Sequence, residues 1–395
     1  MNRHMLLFLS LYLVLYGLMH LYFYSGFRHL AGSSVGWRIA YGVFSVFMVL
    51  SPILARWCEA AGSECLELYL AWIAYLWMGF LFISLSLMVF FDLLKVIISF
   101  TGSPFSGRLL QWFTPSVRFI TILMVSLVLC IYGYFTAWSI GMDHIILPTS
   151  QIPRSIGSLR LVQISDIHLG LMVKKKKADI ILQKVREWDP HILVCTGDLV
   201  DGQMGSMDGV SELFAALHSP GGKFAVTGNH EFYVGIEQAE QFIRKAGFTL
   251  LRGETVVLED VLAISGVDDP AAGLFHERGG LKEEELLERV PGEVFHILLK
   301  HQPEVEEASR GLFDLQLSGH IHGGQIFPFT LLTRLAYSYG VGLHDAGKGS
   351  LIYVSPGAGT WGPPMRILAN PRITVIDLVN PQISGHEDPE PPPGQ

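Results

Sequence analysis

Charged side chains are scarce in this sequence. Asp, Glu, Lys and Arg together make up 16% of the 395 residues, whereas a typical globular protein contains about 25%. Because hydrophobic residues account for 50%, we expect part of the chain to lie in lipid. The four cysteines form no Cys-x-x-Cys pair, which argues against a zinc finger or a disulfide framework.

Positive charge is deficient in the second part of the chain. Residues 1–150 contain seven Lys or Arg and five Asp or Glu, and the remainder contains 21 and 31, so the excess of negative charge behind the net charge of -8 lies in the second part. A surface that binds nucleic acid is normally basic. The sequence therefore argues against nucleic acid as a partner.

The first part contains long apolar segments instead. A membrane-spanning helix needs about 20 apolar residues, and four segments are candidates: residues 5–24, 39–54, 68–91 and 119–140. The first lacks a small-x-small cleavage site, which favours an uncleaved helix over a signal peptide. The segments contain no pairs of charged residues of the kind that a transporter would use. We therefore predict a membrane anchor.

The basic residues near these segments predict their orientation. Five Lys or Arg lie in the loops after the first and third segments, and three lie on the opposite side: Arg28, Arg38, Lys95, Arg108 and Arg118 against Arg3, Arg56 and Arg154. Cytoplasmic loops usually carry the excess of Lys and Arg. This count places the two richer loops in the cytoplasm and both chain termini outside.

From residue 159 onward, short apolar runs alternate with amphipathic stretches. Strands are predicted at residues 159–164, 191–195 and 223–226, with helices at 178–188 and 210–217 between them. Such alternation is typical of an α/β layered fold. The predicted organisation is a membrane helical region over residues 1–145, a globular domain over 155–380 and a disordered proline-rich tail over 381–395.

Groups that commonly bind metals follow five of the predicted strands. The five motifs are Asp166-x-His168, Gly197-Asp198-x-x-Asp201, Gly228-Asn229-His230-Glu231, His301 and Gly319-His320-x-His322. Each motif alone has an ordinary explanation, since Asp and Asn favour turns and a single His is usually structural. Five such motifs at the carboxyl ends of strands, where α/β sheets place their sites, instead indicate one functional site.

This ordered set of motifs resembles the calcineurin-like metallophosphoesterases over residues 159–378. The Gly323-Gly324-Gln325 extension is similar to the bacterial membrane-linked branch of that family. The resemblance implies a two-sheet β-sandwich flanked by helices, here following about four membrane helices. With the orientation above, it implies an integral protein of a bacterial cell membrane whose catalytic domain is extracytoplasmic.

The resemblance also implies two divalent metal ions and a ligand set for each. One ion would be held by Asp166, His168, Asp198 and His322, and the other by Asp198, Asn229, His301 and His320. A bridging carboxylate such as Asp198 permits two ions about 3.5–4 Å apart, the separation used for in-line displacement at phosphorus. Oxygen and imidazole ligands without thiolate suit Mn, Fe or Zn.

Further roles follow from the same resemblance. His230 would act as a general acid on the leaving oxygen, work that contributes about 10²–10⁴-fold; the alternative is a histidine merely held in a turn. Asp201 and Glu231 would orient neighbouring groups without binding metal. His296, inside an apolar strand, is interpreted as a structural residue.

Four consecutive lysines, Lys174, Lys175, Lys176 and Lys177, begin a predicted helix. A charge run is usually a solvated face, but the helix dipole disfavours positive charge at this end. The alternative is contact with substrate or with anionic lipid headgroups. A lipid or lipid-linked substrate is therefore a hypothesis.

The leading interpretation is a membrane-anchored phosphoesterase that cleaves a phosphodiester or a pyrophosphate by attack of metal-activated water. One alternative keeps this chemistry in a cytoplasm-facing nucleotide phosphodiesterase. The other is a non-catalytic membrane sensor that binds metal or phosphate. Retention of every ligand position and of His230 argues against the sensor.

Overall fold

A computed structural model describes residues 3–32, 34–100, 114–202, 207, 209–277 and 280–383. The chain forms two compact units. The first comprises Met1–Phe135 and Gly362–Ile367, and the second comprises Thr136–Trp361 and Leu368–Gln395. Most of the predicted proline-rich tail lies outside the described residues.

The first unit is helical. Its helices are α1 (Arg3–Ala31), α2 (Val35–Ala60), α3 (Glu64–Phe100) and α4 (Pro115–Thr136), and each covers all or most of one of the four predicted apolar segments. Three described stretches are long and apolar enough to cross a membrane: Val35–Cys58, Cys65–Phe100 and Pro115–Thr136. The helical region was therefore predictable from hydropathy alone.

The interior of this helical unit is mainly aromatic and aliphatic. Phe23 packs edge-to-face on Phe119, with ring centroids 5.2 Å apart. Just outside the predicted apolar segments, Asp92 of α3 accepts hydrogen bonds from Arg118 at 2.8 Å and from the hydroxyl of Tyr22 at 2.7 Å. The partners lie on different helices, so no pattern within one segment could reveal the pair.

The second unit contains fourteen strands in its described residues. They are β1 (Gly141–Pro148), β2 (Ser158–Ile164), β3 (Leu169–Gly170), β4 (Ile192–Cys195), β5 (Val200–Asp201), β6 (Lys223–Ala225), β7 (Thr249–Leu250), β8 (Glu254–Leu258), β9 (Leu262–Gly266), β10 (Phe295–Leu299), β11 (Leu315–Ser318), β12 (Gly342–Gly347), β13 (Ser350–Val354) and β14 (Arg372–Val379). Two six-stranded sheets have the orders β1-β14-β2-β4-β6-β7 and β12-β13-β11-β10-β9-β8, and β3 pairs with β5.

Seven helices accompany these strands in the described part of the unit. They are α5 (Lys175–Glu187), α6 (Val210–Ala215), α7 (Asn229–Val234), α8 (Ile236–Lys245), α9 (Ala271–Leu274), α10 (Glu283–Leu287) and α11 (Phe329–Ala336). Two short 3-10 helices cover His322–Gly324 and Pro381–Ile383.

Side-chain alternation along the strands builds two apolar layers. Leu161 of β2 packs between the two sheets with Val194 and Ile297. Its neighbour Val162 points to the opposite face and joins the cluster that includes Ile181 of α5, as the period of two along a strand requires. The second unit is thus a two-sheet β-sandwich flanked by helices, which confirms the predicted fold class.

The start of the second unit differs from the predicted boundary. We expected the domain to begin at residue 155, but β1 already pairs in parallel with β14, from Gly141 opposite Arg372 to Pro148 opposite Val379. The partner strand is distant in sequence, so local patterning could not identify β1. Likewise, the helix predicted to reach residue 140 ends at Thr136.

Parallel pairing determines where the polar motifs lie. In the first sheet, β2, β4 and β6 run parallel, and in the second sheet β10, β11 and β13 do so. Parallel strands present their carboxyl ends at the same edge of a sheet, where α/β proteins place ligands. The motifs after these strands are therefore brought to common edges.

Candidate metal centre

Seven of the predicted site residues converge. The groups of carboxylate and imidazole atoms that lie within 4.8 Å of one another are Asp166, His168 and His322; His168, Asp198 and His230; and Asp198, His301 and His320. The three groups overlap in His168 and Asp198. Each group can bind a metal ion by its chemistry, because neutral imidazole and carboxylate are both common metal ligands.

The first set of predicted ligands is closely spaced. Nε2 of His168 lies 2.9 Å from Nε2 of His322, and the latter atom lies 3.4 Å from Oδ1 of Asp166. Two atoms bound to one ion at about 2.1 Å in adjacent octahedral positions would be about 3 Å apart. The spacing therefore fits a shared cation.

The predicted ligands of the second ion are also closely spaced. Nε2 of His301 lies 3.1 Å from Nδ1 of His320 and 3.2 Å from Oδ2 of Asp198. The same Oδ2 atom lies 3.7 Å from Nε2 of His168 in the first set. One carboxylate oxygen thus faces both sets of ligands.

The proton positions in the second set also fit a cation. The Nδ1 atom of His301 lies 2.7 Å from the carbonyl oxygen of Thr196. A carbonyl only accepts, so Nδ1 carries a proton and Nε2 is the ring atom that faces Asp198. Burial lowers the pKa of His301, but the carboxylates of Asp198 and Asp166 outweigh it and raise that pKa well above its usual value, so Nε2 attracts either a second proton or a metal ion. Two facing lone pairs repel each other unless a cation or a proton lies between them. A backbone carbonyl that fixes the tautomer in this way is typical of metal-bound histidines.

Asn229 provides an independent indication. Its Oδ1 atom is buried and has no hydrogen-bond partner among the described residues, while its side chain interacts with the hydroxyl of Tyr233. A buried amide oxygen without a partner is costly, at about 1–3 kcal/mol. The residues present therefore fit bound metal ions, including the oxygen ligand predicted from Asn229.

The backbone at the ligands is unusual. Five predicted ligands have positive φ: Asp166 (52°), His168 (54°), Asp198 (51°), His320 (71°) and His322 (49°). Residues other than glycine rarely adopt this conformation, and such strain clusters at functional sites. Here the amide groups of Asp166 and His168 donate to the carbonyl oxygens of Gly197 and Asp198, at 3.1 and 3.0 Å, which holds the strained loop.

Two motif glycines are required because the ligand loops approach each other closely. A Cβ atom at Gly228 would overlap the carboxylate of Asp198, and one at Gly319 would overlap the side chains of Ser165 and Asp166. The motif glycines therefore leave room for the two carboxylates.

Burial and mutual charge determine the protonation of the ligands. Burial lowers the pKa of His168 to about 4 and that of His320 to about 3, which keeps both imidazoles neutral and able to bind metal. Burial also opposes ionisation of Asp198, but the surrounding histidines, chiefly His301, outweigh it and hold the pKa of Asp198 well below its usual value.

His230 is held by two carboxylates. Its backbone N–H donates to Oδ1 of Asp198 at 2.9 Å, and its Nδ1 lies 3.0 Å from Oδ1 of Asp201. Burial disfavours the charged ring, but Asp198 and Asp201 outweigh burial and raise the pKa of His230 to about 9. At neutral pH the His230 ring is therefore positively charged, and it can donate the second of its two protons.

Glu231 supports the loop of Asp198. Its carboxylate accepts hydrogen bonds from the backbone N–H groups of Gly228 at 2.6 Å, Asp198 at 3.0 Å and Val200 at 3.1 Å. The side chain is fully buried. Glu231 thus joins the loops after β4 and β6 without facing the candidate ions.

Comparison with known proteins agrees with this geometry. The family model for calcineurin-like phosphoesterases matches residues 159–324. An uncharacterized metallophosphoesterase of Aquifex aeolicus is 36% identical over 258 residues, which cover 65% of this chain and 98% of that protein. The chain belongs to the calcineurin-like metallophosphoesterase family.

Relatives of this metallophosphoesterase include a membrane protein. A transmembrane protein with metallophosphoesterase domain from Danio rerio is 33% identical over 268 residues, covering 65% of this chain and 61% of the relative. The solved 5'-nucleotidase precursor of Thermus thermophilus is 16% identical, with a TM-score of 0.36 over 56% of this chain and 54% of that chain. The chain thus spans about three-fifths of its zebrafish relative.

Sequence reasoning missed two contacts at the metallophosphoesterase site. The hydroxyl of Tyr337 lies 2.8 Å from Nε2 of His320. The side chain of Gln325 donates to the carbonyl oxygen of Trp361 at 2.8 Å and accepts from its N–H at 2.9 Å, and the Trp361 ring lies beside His230. The Gly-Gly-Gln extension was a signal for Gln325, whereas nothing distinguished Tyr337 from the neighbouring aromatics.

The lysine run partly differs from the prediction. It does begin α5, and Lys174, Lys175 and Lys176 are exposed. Lys177 is only 4% exposed, and its ammonium lies 6.0 Å from the ring centroid of Trp138. Lys177 therefore cannot contact a lipid surface, because the fourth position falls on the inner face of the helix. Contact by the other three stays a prediction.

Proposed function

We propose that this chain is a membrane-anchored, two-metal phosphoesterase that hydrolyses a phosphodiester or a pyrophosphate. The observation that carries the proposal is the position of Asp198, whose Oδ2 faces His168 at 3.7 Å and His301 at 3.2 Å. A carboxylate between two ligand sets is the arrangement that a dimetal hydrolase needs.

The residues proposed to hold the two ions are those of the two spaced sets. One set is Asp166, His168, Asp198 and His322, and the other is Asp198, Asn229, His301 and His320. Bound divalent ions would supply Lewis-acid activation of the phosphoryl group and of the attacking water. The donors are oxygen and imidazole nitrogen, so Mn, Fe or Zn is the proposed metal.

His230 is the proposed general acid. Because Asp201 accepts at Nδ1, the second proton of the charged ring is at Nε2, and this proton is available to the leaving oxygen. Glu231 and Asp201 have positioning roles in this proposal, since their contacts are to other residues of the site.

Turnover tests the proposal. Detergent-purified full-length protein is assayed with bis-p-nitrophenyl phosphate and p-nitrophenyl phosphate, with Mn²⁺ and with chelator. We expect metal-dependent release of p-nitrophenolate that is lost in Asp198→Asn. The matched control is Asp260→Asn, because Asp260 is exposed and also has positive φ, 55° against 51°. Two bound metals without turnover of either ester would favour the sensor.

The proposed location is a bacterial cell membrane with the catalytic domain outside the cytoplasm. The support is the excess of Lys and Arg in two loops of the helical region. Fusions of alkaline phosphatase and of a green fluorescent protein to the C-terminus test on which side of the membrane the catalytic domain lies. Phosphatase activity without fluorescence is expected, and the opposite result would favour the cytoplasm-facing nucleotide phosphodiesterase.

A further inference from the structure

Helix α11 carries an exposed apolar surface. Phe329, Leu331, Leu332 and Leu335 are all exposed, Leu335 to 85%, and Phe327 just before the helix is exposed as well. No residue of α11 is buried. A surface helix of a globular protein normally turns its apolar stripe toward the core, so α11 departs from the usual arrangement.

The amphipathic pattern of α11 is reversed. The half-buried positions are Thr330 and Thr333, followed by Tyr337 just after the helix, and their spacing of three and four residues defines one face. This inward face is polar, whereas Leu332 and Leu335 point outward. A helix with its polar face inward and its apolar face outward is suited to a non-aqueous environment.

The helix is joined to the candidate metal centre. Gly324, two residues after His322, packs so closely on the backbone of Thr330 that a Cβ atom would overlap it. At the other end of α11, the hydroxyl of Tyr337 lies 2.8 Å from His320. The exposed apolar surface is therefore fixed to the loop that contains two of the proposed ligands.

Lipid is the environment that the chain itself supplies. Three described stretches are long and apolar enough to cross a membrane, and only four residues separate α4, which ends at Thr136, from β1, which begins at Gly141. Such a connection reaches at most about 18 Å. A bilayer that holds these helices is thus always within reach of the second unit.

We propose that α11 lies in the interface of a phospholipid bilayer, with Phe329, Leu331, Leu332 and Leu335 among the acyl chains, and that it holds the metal centre at the membrane surface. Arg334, exposed between these residues, would extend its guanidinium to the headgroups. The substrate class that follows is a phosphoester embedded in lipid; this second statement rests on the proposed function.

Lipid contact is tested directly by quenching. The full-length protein is reconstituted in phosphatidylcholine nanodiscs with Cys58, Cys65 and Cys130 replaced by alanine, and bimane is attached at Leu335→Cys or at the control Val257→Cys. Val257 is an exposed apolar residue of β8. Acyl-brominated lipids should quench bimane at position 335 at least twofold more than at position 257. Equal quenching, or protection from aqueous iodide without quenching by bromolipid, would overturn the proposal.

Substrate presentation is tested with two probes that share a leaving group. Bis-p-nitrophenyl phosphate is soluble, and phosphatidyl-p-nitrophenol is embedded in the nanodisc. For the variant Leu331→Gln, Leu332→Gln, Leu335→Gln, we expect about tenfold slower turnover of the lipid probe and turnover of the soluble probe within twofold of wild type. The control variant, Ile146→Gln with Val257→Gln, should change neither rate.

The two experiments separate the possible failures. Equal turnover of the lipid probe by wild type and the α11 variant would overturn the substrate statement. If wild type hydrolyses neither probe, the proposed function fails, while bimane quenching still decides whether α11 contacts lipid. If position 335 is quenched but the triple variant misfolds, the single substitution Leu335→Gln takes its place in the turnover assay. This substitution removes the most exposed side chain of the surface.

Discussion

Asp201 and His230 form a close pair, with Oδ1 of Asp201 3.0 Å from Nδ1 of His230. The other carboxylate oxygen of Asp201 lies 3.9 Å from Nδ1 of His168. One carboxylate thus faces two imidazole rings, that of the proposed general acid and that of a proposed metal ligand. The contact at 3.0 Å fixes the tautomer and orientation of the His230 ring, whereas 3.9 Å is too long for a hydrogen bond to His168.

Replacement of Asp201 tests its positioning role. In Asp201→Asn, the amide can still accept from Nδ1 but no longer stabilises a charged His230. We expect kcat to fall about 10–100-fold with KM and metal content little changed, as measured by steady-state kinetics and elemental analysis. Asp260→Asn is the control. An unchanged kcat, or loss of bound metal, would contradict this role.

Replacement of Glu231 should loosen the site. Its two carboxylate oxygens accept hydrogen bonds from the backbone N–H groups of Gly228, Asp198 and Val200. In Glu231→Gln, one of these oxygens is replaced by an NH₂ group, which cannot accept from a backbone N–H. We expect a loss of about 1–3 kcal/mol in the free energy of unfolding and weaker metal binding. Thermal unfolding and competition with a metal chelator measure both effects. The exposed Glu237→Gln is the control, and equal behaviour of the two variants would exclude this role.

A methyl group at position 228 should destroy the centre. The Cβ of Gly228→Ala would overlap the carboxylate of Asp198, so the bridging oxygen must move. We expect loss of bound metal and a fall in activity of at least about 100-fold, since misplacement by about 1 Å can have that effect. Gly292→Ala is the control, because nothing lies within 4 Å of a Cβ there. Retained activity would show that Asp198 need not stay in place.

The ion pair of Arg160 and Asp377 should make the stability of the fold depend on pH. The guanidinium of Arg160 donates two hydrogen bonds of 2.8 Å to the carboxylate of Asp377. Nε2 of His144 lies 2.9 Å from Oδ2 of the same carboxylate. Burial alone would raise the pKa of Asp377, but Arg160 and His144 outweigh it and lower the pKa below its usual value. The stabilisation is therefore complete above the unfolded pKa of about 3.9 and is lost as pH falls through the lower folded pKa.

Asp377→Asn measures this contribution. We expect the variant to be about 1–3 kcal/mol less stable than wild type at pH 7, an amount reduced because Arg160 is partly exposed. The difference should narrow as the pH falls below about 4, in thermal unfolding of the detergent-solubilised protein. A difference that is constant between pH 7 and pH 3 would contradict the ion-pair explanation. Asp260→Asn should show no such difference at any pH.

The convergence of the motifs could be predicted because of how parallel strands are arranged. Asp166, Asp198 and His301 each follow a short apolar run, and runs of that kind become parallel strands whose carboxyl ends share an edge. The two-sheet fold was predictable for the same reason. His296 also has the structural environment predicted, with hydrogen bonds to Ser265 at 2.7 Å and to the carbonyl of Leu312 at 2.9 Å.

What could not be predicted depends on contacts between distant parts of the chain. β1 was missed because its partner β14 follows more than 200 residues later, as the pair of His144 and Asp377 shows, with a sequence separation of 233. The reversed orientation of α11 was missed because its mainly apolar sequence does not show which face of the helix turns inward. Only the folded unit shows that the face with Thr333 and Tyr337 is the half-buried one.

The number of metal ions bound per chain tests the central claim most directly. Elemental analysis of detergent-purified, Mn²⁺-loaded protein should give two ions per chain for wild type and for Asp260→Asn. Asp198→Asn should retain well under one ion, because Oδ2 of Asp198 faces both ligand sets. Two ions retained by Asp198→Asn, or no more than one bound by wild type, would contradict a centre bridged by Asp198.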